Sequence, residues 1–418
     1  MTTTAQNDGA GLRRAIRAYF IVYAIYGAAG PFYSVFPIFM AVRGLNQLQI
    51  NTVVAVYMLV WILTDVPTGA FADALGRRRS LVLGCGLRAA SCVIYFFSYR
   101  FSIFLLAELV DGIGTSFGNG AIDAWGVDAL DVAGFAGLKD RLFSRLLQAA
   151  TGVSMISVVV GAYIADRNIA LPWLCAAAGF VVAGAVGATF MRDPARRVKL
   201  SLIEVLRGVA ARTAEGWRAG LGSRTLRTLT LGDAFAYAGW SPFMREWQIL
   251  FNSRYNVGLW IIGWLECAQR IARIAGAELA ARTSADSSRR ASRLSWITVA
   301  GALLLGAAGL LALHSNAALI AILAMTACIG AMNPIVMSWL NEEIPAERRA
   351  TLLSFNSTGG RIGGIAGLLA GGYVADHAGI PAQWIMSMVV CLCAAPFYLT
   401  ARRPGEGAAA EAADTPAG

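Results

Sequence analysis

Glu108, Asp111, Thr115 and Asn119 fall on one side of a helix, within about 80° of one another at 100° per residue, in a stretch that is otherwise mostly apolar. Asp233, Tyr237, Trp240 and Met244 repeat the arrangement later in the chain, within about 60° by the same arithmetic. A carboxylate inside a long apolar helix is costly, and it is kept where it is paired, protonated or facing water. Such a group can hold a cation or exchange a proton, because leaving water disfavours its charged form. Glu108, Asp111 and Asp233 are therefore candidates for proton coupling. Glu266 is also near the middle of an apolar stretch, four residues before Arg270, the spacing of an ion pair within one helix. Arg88, Arg270, Arg273 and Arg361 lie in apolar stretches too, and each could neutralise a carboxylate or bind an anionic group. The spacing does not pair them.

The elements that must carry these residues are long apolar helices. Hydrophobic residues make up 57% of the 418 and charged ones 14%, with a mean hydropathy of +0.58, where a soluble chain has more charge. About 20 mainly apolar residues cross a bilayer as a helix. Twelve such stretches are expected, near 18–40, 52–72, 81–98, 101–125, 146–165 and 173–191, then 229–251, 259–280, 294–313, 317–340, 352–375 and 384–400. The fold class is an all-α integral membrane protein, embedded in the lipid bilayer.

The basic residues set the orientation. Arg13, Arg14 and Arg17, then Arg77–Arg79, then Lys139, Arg141 and Arg145, and then a run from Arg192 to Arg227 all fall on one side. Arg282, Arg289, Arg290, Arg293, Arg348, Arg349, Arg402 and Arg403 continue it, against Arg43, Arg100, Arg167 and Arg254 opposite. Positive charge marks the cytoplasmic face, so both termini are expected there, in a bacterial inner membrane. The net charge of +10 is then a topology signal spread over the loops, and no nucleic-acid partner is expected. The first apolar run is too long for a cleaved signal peptide and leads into further spans.

Enzyme signatures fail on context. Gly114–Gly118 fits the letters of a GxSxG nucleophile turn but lies within an apolar helix with no strand before it. Gly84–Ala89 matches a degenerate dinucleotide fingerprint in the same way. There is no phosphate-binding GxxxxGK[ST] in a chain whose lysines are Lys139 and Lys199. With two histidines and no CxxC, neither a metal site nor a cofactor is expected.

The chain also repeats itself. Gly161–Asp166 reads GAYIAD and Gly371–Asp376 reads GGYVAD, about 210 residues on, while Trp125 and Asp128 match Trp339 and Glu342. Two halves of six helices each follow from this. The expected domains are 1–191, a basic linker with a surface helix over 192–227, a second bundle over 228–401, and a small-residue tail over 402–418.

Gly69–Arg79, reading GAFADALGRRR at the foot of the second apolar stretch, has the form Gly-x3-Asp-x2-Gly-Arg-x-Arg. It resembles the loop signature of the major facilitator superfamily. The resemblance implies twelve transmembrane helices in two pseudo-symmetric six-helix bundles, a small-molecule substrate, and alternating access by rocking of one bundle against the other. It also implies that the first, fourth, seventh and tenth helices line a central cavity. That makes Tyr26, Tyr33, Glu108, Asp111, Thr115, Asp233, Tyr237, Trp240, Asn333 and Met337 candidate substrate contacts, with Asp111, Asp233 and Glu108 as proton-coupling groups. The tyrosines of the first stretch, Tyr19, Tyr23, Tyr26 and Tyr33, form with Gly30 and Pro37 a stripe that serves equally as core or as cavity wall.

By the same resemblance, Gly69, Asp73, Gly76, Arg77, Arg78 and Arg79 form a gate. Asp73 would cap the eleventh helix, and Arg77 would reach an acid at the end of the fourth, either Asp123 or Asp128. The drug antiporters of the superfamily carry an arginine where Glu108 stands, and Gly-Pro where Ala165 and Asp166 stand. The reading is a monomeric secondary transporter, a proton-coupled exporter of small amphipathic or cationic compounds. The alternatives are transport of an anionic metabolite on the buried arginines and a membrane receptor that transports nothing.

Overall fold

Pro31 and Pro37 have no amide hydrogen to give a helix, and the first apolar stretch breaks where they stand. In the computed structural model, which describes residues 16–132, 135, 139–191, 214–256, 258–283, 289–312, 315–345 and 348–401, helix α1 (16–28) gives way to a single 3₁₀ turn, Pro31–Ser34. Helix α2 (Phe36–Val42) then continues at an angle of 40°. The tyrosine stripe is therefore not one helical face: Tyr33 sits on the 3₁₀ turn, out of phase with Tyr19, Tyr23 and Tyr26. Pro67, Pro242 and Pro334, by contrast, are accommodated inside continuous helices, as membrane helices allow.

The remaining helices of the first half are α3 (Gln47–Leu75), α4 (Arg77–Phe96), α5 (Phe101–Val132), α6 (Lys139–Arg167) and α7 (Leu171–Phe190). A short α8 (214–222) precedes α9 (Arg224–Tyr255), α10 (Leu259–Thr283), α11 (Arg290–Leu310), α12 (Ser315–Glu343), α13 (Arg349–Ala378), α14 (Ile380–Leu392) and α15 (Ala394–Thr400). Each of the twelve expected stretches falls on one of these helices or on a broken pair of them. Among the described residues, eight helices are long and apolar enough to cross a membrane, and the bent first pair makes nine. The other three, α9, α10 and α13, carry more charged and polar residues. Of the expected linker, 192–213 lies outside the described residues, as does the tail 402–418, while α8 falls within its last part.

The chain gathers into two compact units. Among the described residues the first holds 16–45, 56–191 and 256–267, and the second 46–55, 214–255 and 268–401. In the first, Tyr19, Val22, Leu81, Cys85, Ile122, Trp125 and Leu146 form a buried core. A second nucleus has Trp173 stacked on Tyr95 at 4.0 Å and on Phe32 at 4.3 Å between ring centres. α4 and α5 touch through glycines: a Cβ on Gly84 would stand 2.7 Å from the Gly114 carbonyl oxygen. Of the glycines that matched enzyme motifs by letter, Gly84, Gly114 and Gly118 are thus packing residues, placed where two helices meet closely. In the second unit α13 lies equally close to α9. A Cβ on Gly363 or Gly367 would fall about 2 Å from the carbonyl oxygens of Ala234 or Ala238.

The repeat seen in the sequence reappears as equivalent fastenings. In the first unit Arg77, at the start of α4, pairs with Asp128 near the end of α5 at 3.2 Å. In the second, Arg290 at the start of α11 donates from Nη2 to Glu342 near the end of α12 at 2.7 Å and also bonds it through Nη1. The first amides of a helix have no partner within it, and a carboxylate supplies one for α10 and for α3. Asp166 accepts the Leu259 amide at 2.9 Å, while Asp376 accepts those of Gln47 at 2.8 Å and Leu48 at 3.1 Å. These caps bring the first residues of α10 into the first unit and the first residues of α3 into the second.

Candidate functional site

The polar groups of the first unit converge on Arg88. Its Nε donates to Asp111 Oδ1 at 3.0 Å, Nη1 to the Tyr26 hydroxyl at 3.1 Å and Nη2 to the Tyr33 hydroxyl at 3.4 Å. The guanidinium also lies 4.2 Å from the ring centre of Phe180, within cation–π range. Arg88 is 5% exposed, and a buried charge of this kind is tolerated because it is paired and hydrogen-bonded. The glycines of α5 make the room. A Cβ on Gly114 would stand 2.8 Å from Arg88 Cγ, and one on Gly118 2.6 Å from the Tyr26 hydroxyl oxygen. The break at Pro31 is equally needed, because it swings Tyr33 onto the same guanidinium as Tyr26.

Glu108 and Asp111 are one turn apart on α5 but do different things. Glu108 is buried and accepts the Tyr95 hydroxyl at 2.5 Å, beneath the aromatic stack on Trp173. Thr115 faces Tyr57 of α3, whose hydroxyl reaches its Oγ1 at 3.4 Å. Asn119 is half-buried and has no side-chain hydrogen bond to this cluster among the described residues.

In the second unit Asp233 of α9 accepts Asn356 Nδ2 from α13 at 2.8 Å and the Tyr398 hydroxyl from α15 at 2.8 Å. Thr230 in turn donates to Asn356 Oδ1 at 2.9 Å, which fixes the amide with its nitrogen toward Asp233. Both donors to Asp233 are neutral, and among the described residues no arginine forms an ion pair with it. Tyr237, one turn on, is 51% exposed. Trp240 is instead a core residue, buried against α11, where a Cβ on Gly301 would lie 2.6 Å from its ring. Met244 Sδ accepts Arg273 Nη2 at 3.4 Å. Asn333 and Met337 of α12 are exposed, and neither joins the hydrogen bonds of Asp233.

In the gating segment, Gly76 links α3 to α4 as a single residue with φ of 104°, a left-handed conformation that favours glycine. Asp73 lies 3.7 Å from Arg77, Arg78 and Arg79 are exposed, and Gly69 has open space around it. Of the two acids considered for Arg77, Asp128 is the one it reaches. Asp123 accepts the Tyr19 hydroxyl at 3.4 Å.

Asn356 and Tyr398 were not legible as site residues. Asn356 has only the letters of a glycosylation sequon with Ser357 and Thr358, and Tyr398 lies on the last helix, outside the four expected to line a cavity. Their one signal was a polar side chain in an apolar run.

A family profile described as MFS_1 like matches residues 13–201, and the Major Facilitator Superfamily profile matches residues 287–418. Together they take in more than half of the chain. The chain belongs to the Major Facilitator Superfamily. It is accordingly a multi-pass membrane protein and a secondary transporter, not an enzyme, acting on a small-molecule substrate. Solved members of the superfamily share its fold along almost their whole length. The human organic anion transporter MFSD10 superimposes with a TM-score of 0.64 at 15% identity, over 93% of this chain and 99% of that one. The nucleoside transporter NupG gives 0.68 at 11%, over 94% and 98%. A bacterial homolog of the human lysosomal transporter Spinster gives 0.67 at 13%, over 94% and 97%. Among characterised proteins, Multidrug resistance protein 2 of Bacillus subtilis is 22% identical over 174 residues, which is 41% of this chain and 42% of that relative.

Proposed function

We propose that this transporter is a proton-coupled exporter of small amphipathic or cationic compounds, working by alternating access between its two six-helix bundles. It would act as a monomer in the bacterial inner membrane with both termini cytoplasmic. The observation that carries the reading is Asp233, a carboxylate within a membrane helix whose two hydrogen-bond donors, Asn356 and Tyr398, are both neutral. Its negative charge is balanced by neither of them, so a proton or a cationic substrate is what it has to offer a place to. Proton and substrate would then compete for one group, which is the minimum that exchange requires. Asp111 is less suited to that role because Arg88 already neutralises it. The Arg88–Asp111–tyrosine cluster reads better as a fixed polar wall with aromatic faces for an amphipathic ligand. The partial similarity to a multidrug resistance protein supports efflux as the direction.

The experiment is uptake of a lipophilic cation into proteoliposomes under an imposed proton gradient. Asp233→Asn should abolish gradient-driven uptake while Asp233→Glu keeps part of it. Full gradient-driven transport by the Asn variant would overturn the assignment.

A further inference from the structure

Glu246 is 0% exposed on α9 and had no place in the sequence reading. Its Oε1 accepts Nδ2 of Asn51, also 0% exposed, at 3.0 Å. The two remaining oxygens of the pair, Glu246 Oε2 and Asn51 Oδ1, are both buried, and neither has a hydrogen-bond partner among the described residues. A hydrogen-bonded acid and amide, each left with one orphaned acceptor, lack a single hydrogen between them.

The surroundings do not supply a counter-charge. The charged group whose field reaches Glu246 from a neighbouring helix is Asp376 of α13, which has the same sign and is engaged by the Gln47 and Leu48 amides. α3 contributes Gln47 and Asn51. On α14, Gln383 lies close to Gly371, as does Pro242 of α9. None of these three titrates, and the Oε1 atoms of Gln47 and Gln383 are themselves buried acceptors without a donor. Arg245 adjoins Glu246 in the chain, but consecutive residues of a helix do not face one another. The pair itself holds two orphaned acceptors among the described residues, and an ionised carboxylate out of water would need compensation.

We propose that Glu246 is a proton-binding site, protonated on Oε2 while Asn51 is docked on it. The added proton lets Oε2–H donate to Asn51 Oδ1 while Asn51 Nδ2 donates to Oε1, closing a two-bond ring between acid and amide. The proton comes from water and returns to it; no other bond changes. A sodium ion fits less well, because Asn51 already turns an N–H toward one of the carboxylate oxygens a metal would use. Since Asn51 belongs to the first turns of α3, loss of this proton would unseat that helix start. The site is separate from Asp233, and its test needs no transport.

The test is infrared spectroscopy of the full-length protein in proteoliposomes, in choline buffer without substrate. At neutral pH a protonated-carboxyl C=O band should be present, and Glu246→Gln should remove it. The glutamine mimics the acid form, so its thermal midpoint should fall less steeply than that of the wild type as pH rises. Asn51→Leu should move the band to higher wavenumber, because the carbonyl loses its donor; this reading serves if the Gln variant fails to fold. A neutral-pH spectrum that Glu246→Gln leaves unchanged would sink the proposal. So would a band that sodium removes at constant pH, which would make this a sodium site.

Discussion

Asp376 accepts the amides of Gln47 and Leu48, and Asp166, its counterpart in the repeated motif, accepts the amide of Leu259. The repeated letters of GAYIAD and GGYVAD thus end in carboxylates with one task, to close the exposed start of another helix. A cap of this kind is worth about 0.5–2 kcal/mol, helped by the positive end of the helix dipole. Asp376→Ala should lower stability by about 1 kcal/mol. In hydrogen exchange it should speed the amides of Gln47 and Leu48 while leaving those of the α10 start protected, and Asp166→Ala should do the converse.

The pair Arg88–Asp111 is buried, so removing one partner leaves a bare charge behind. Arg88→Ala should destabilise the protein by about 3–5 kcal/mol. Asp111→Asn in the same chain should recover part of that loss, since no carboxylate is then stranded. The check is a double-mutant cycle on thermal unfolding in detergent, and strictly additive losses would contradict the pairing.

Glycine positions separate on geometry. Gly114→Ala would push a methyl group to 2.8 Å from Arg88 Cγ and 3.0 Å from the Gly84 carbonyl oxygen, which overpacking should charge at about 1–3 kcal/mol. Gly86, also in α4, has nothing within 4 Å of a built Cβ, and Gly86→Ala should stabilise by up to about 1 kcal/mol through helix propensity. Paired melting curves of the two variants test the sign of each.

The fold was legible because its signal is long-range and redundant. Twelve apolar runs, a basic side and an internal repeat point to one architecture, and lipid admits few others for such a chain. Candidate carboxylates were legible for a related reason, since charge in an apolar helix stands out. Their partners were not. Arg88 and Asp111 are 23 residues apart, and Asp233 lies 123 residues from Asn356 and 165 from Tyr398, distances over which no periodicity speaks. Helical phase also placed Glu108 beside Asp111 without showing that Tyr95 holds it under Trp173. Glu246 went unread because its meaning depends on Asn51, which reaches it from a helix 195 residues away.

Tyr398 and Asn356 allow the charge on Asp233 to be tuned without removing the carboxylate. Each donates a neutral hydrogen bond to it, and such a bond to a charged group contributes about 1.5–3 kcal/mol. Both donors favour the ionised form over the protonated one. Tyr398→Phe keeps the ring that packs on Gly232, where a Cβ would lie 2.6 Å away, and deletes only the donor. It should therefore weaken binding of a cationic substrate at fixed pH by about tenfold, the lower end of that energy range, and the loss should shrink as pH rises. Asn356→Leu should act in the same direction but cost more stability, because it also strands the Thr230 hydroxyl. Equilibrium binding of a fluorescent cation across a pH series distinguishes the two. Identical affinity for wild type and Tyr398→Phe at every pH would mean that Asp233 does not face the substrate.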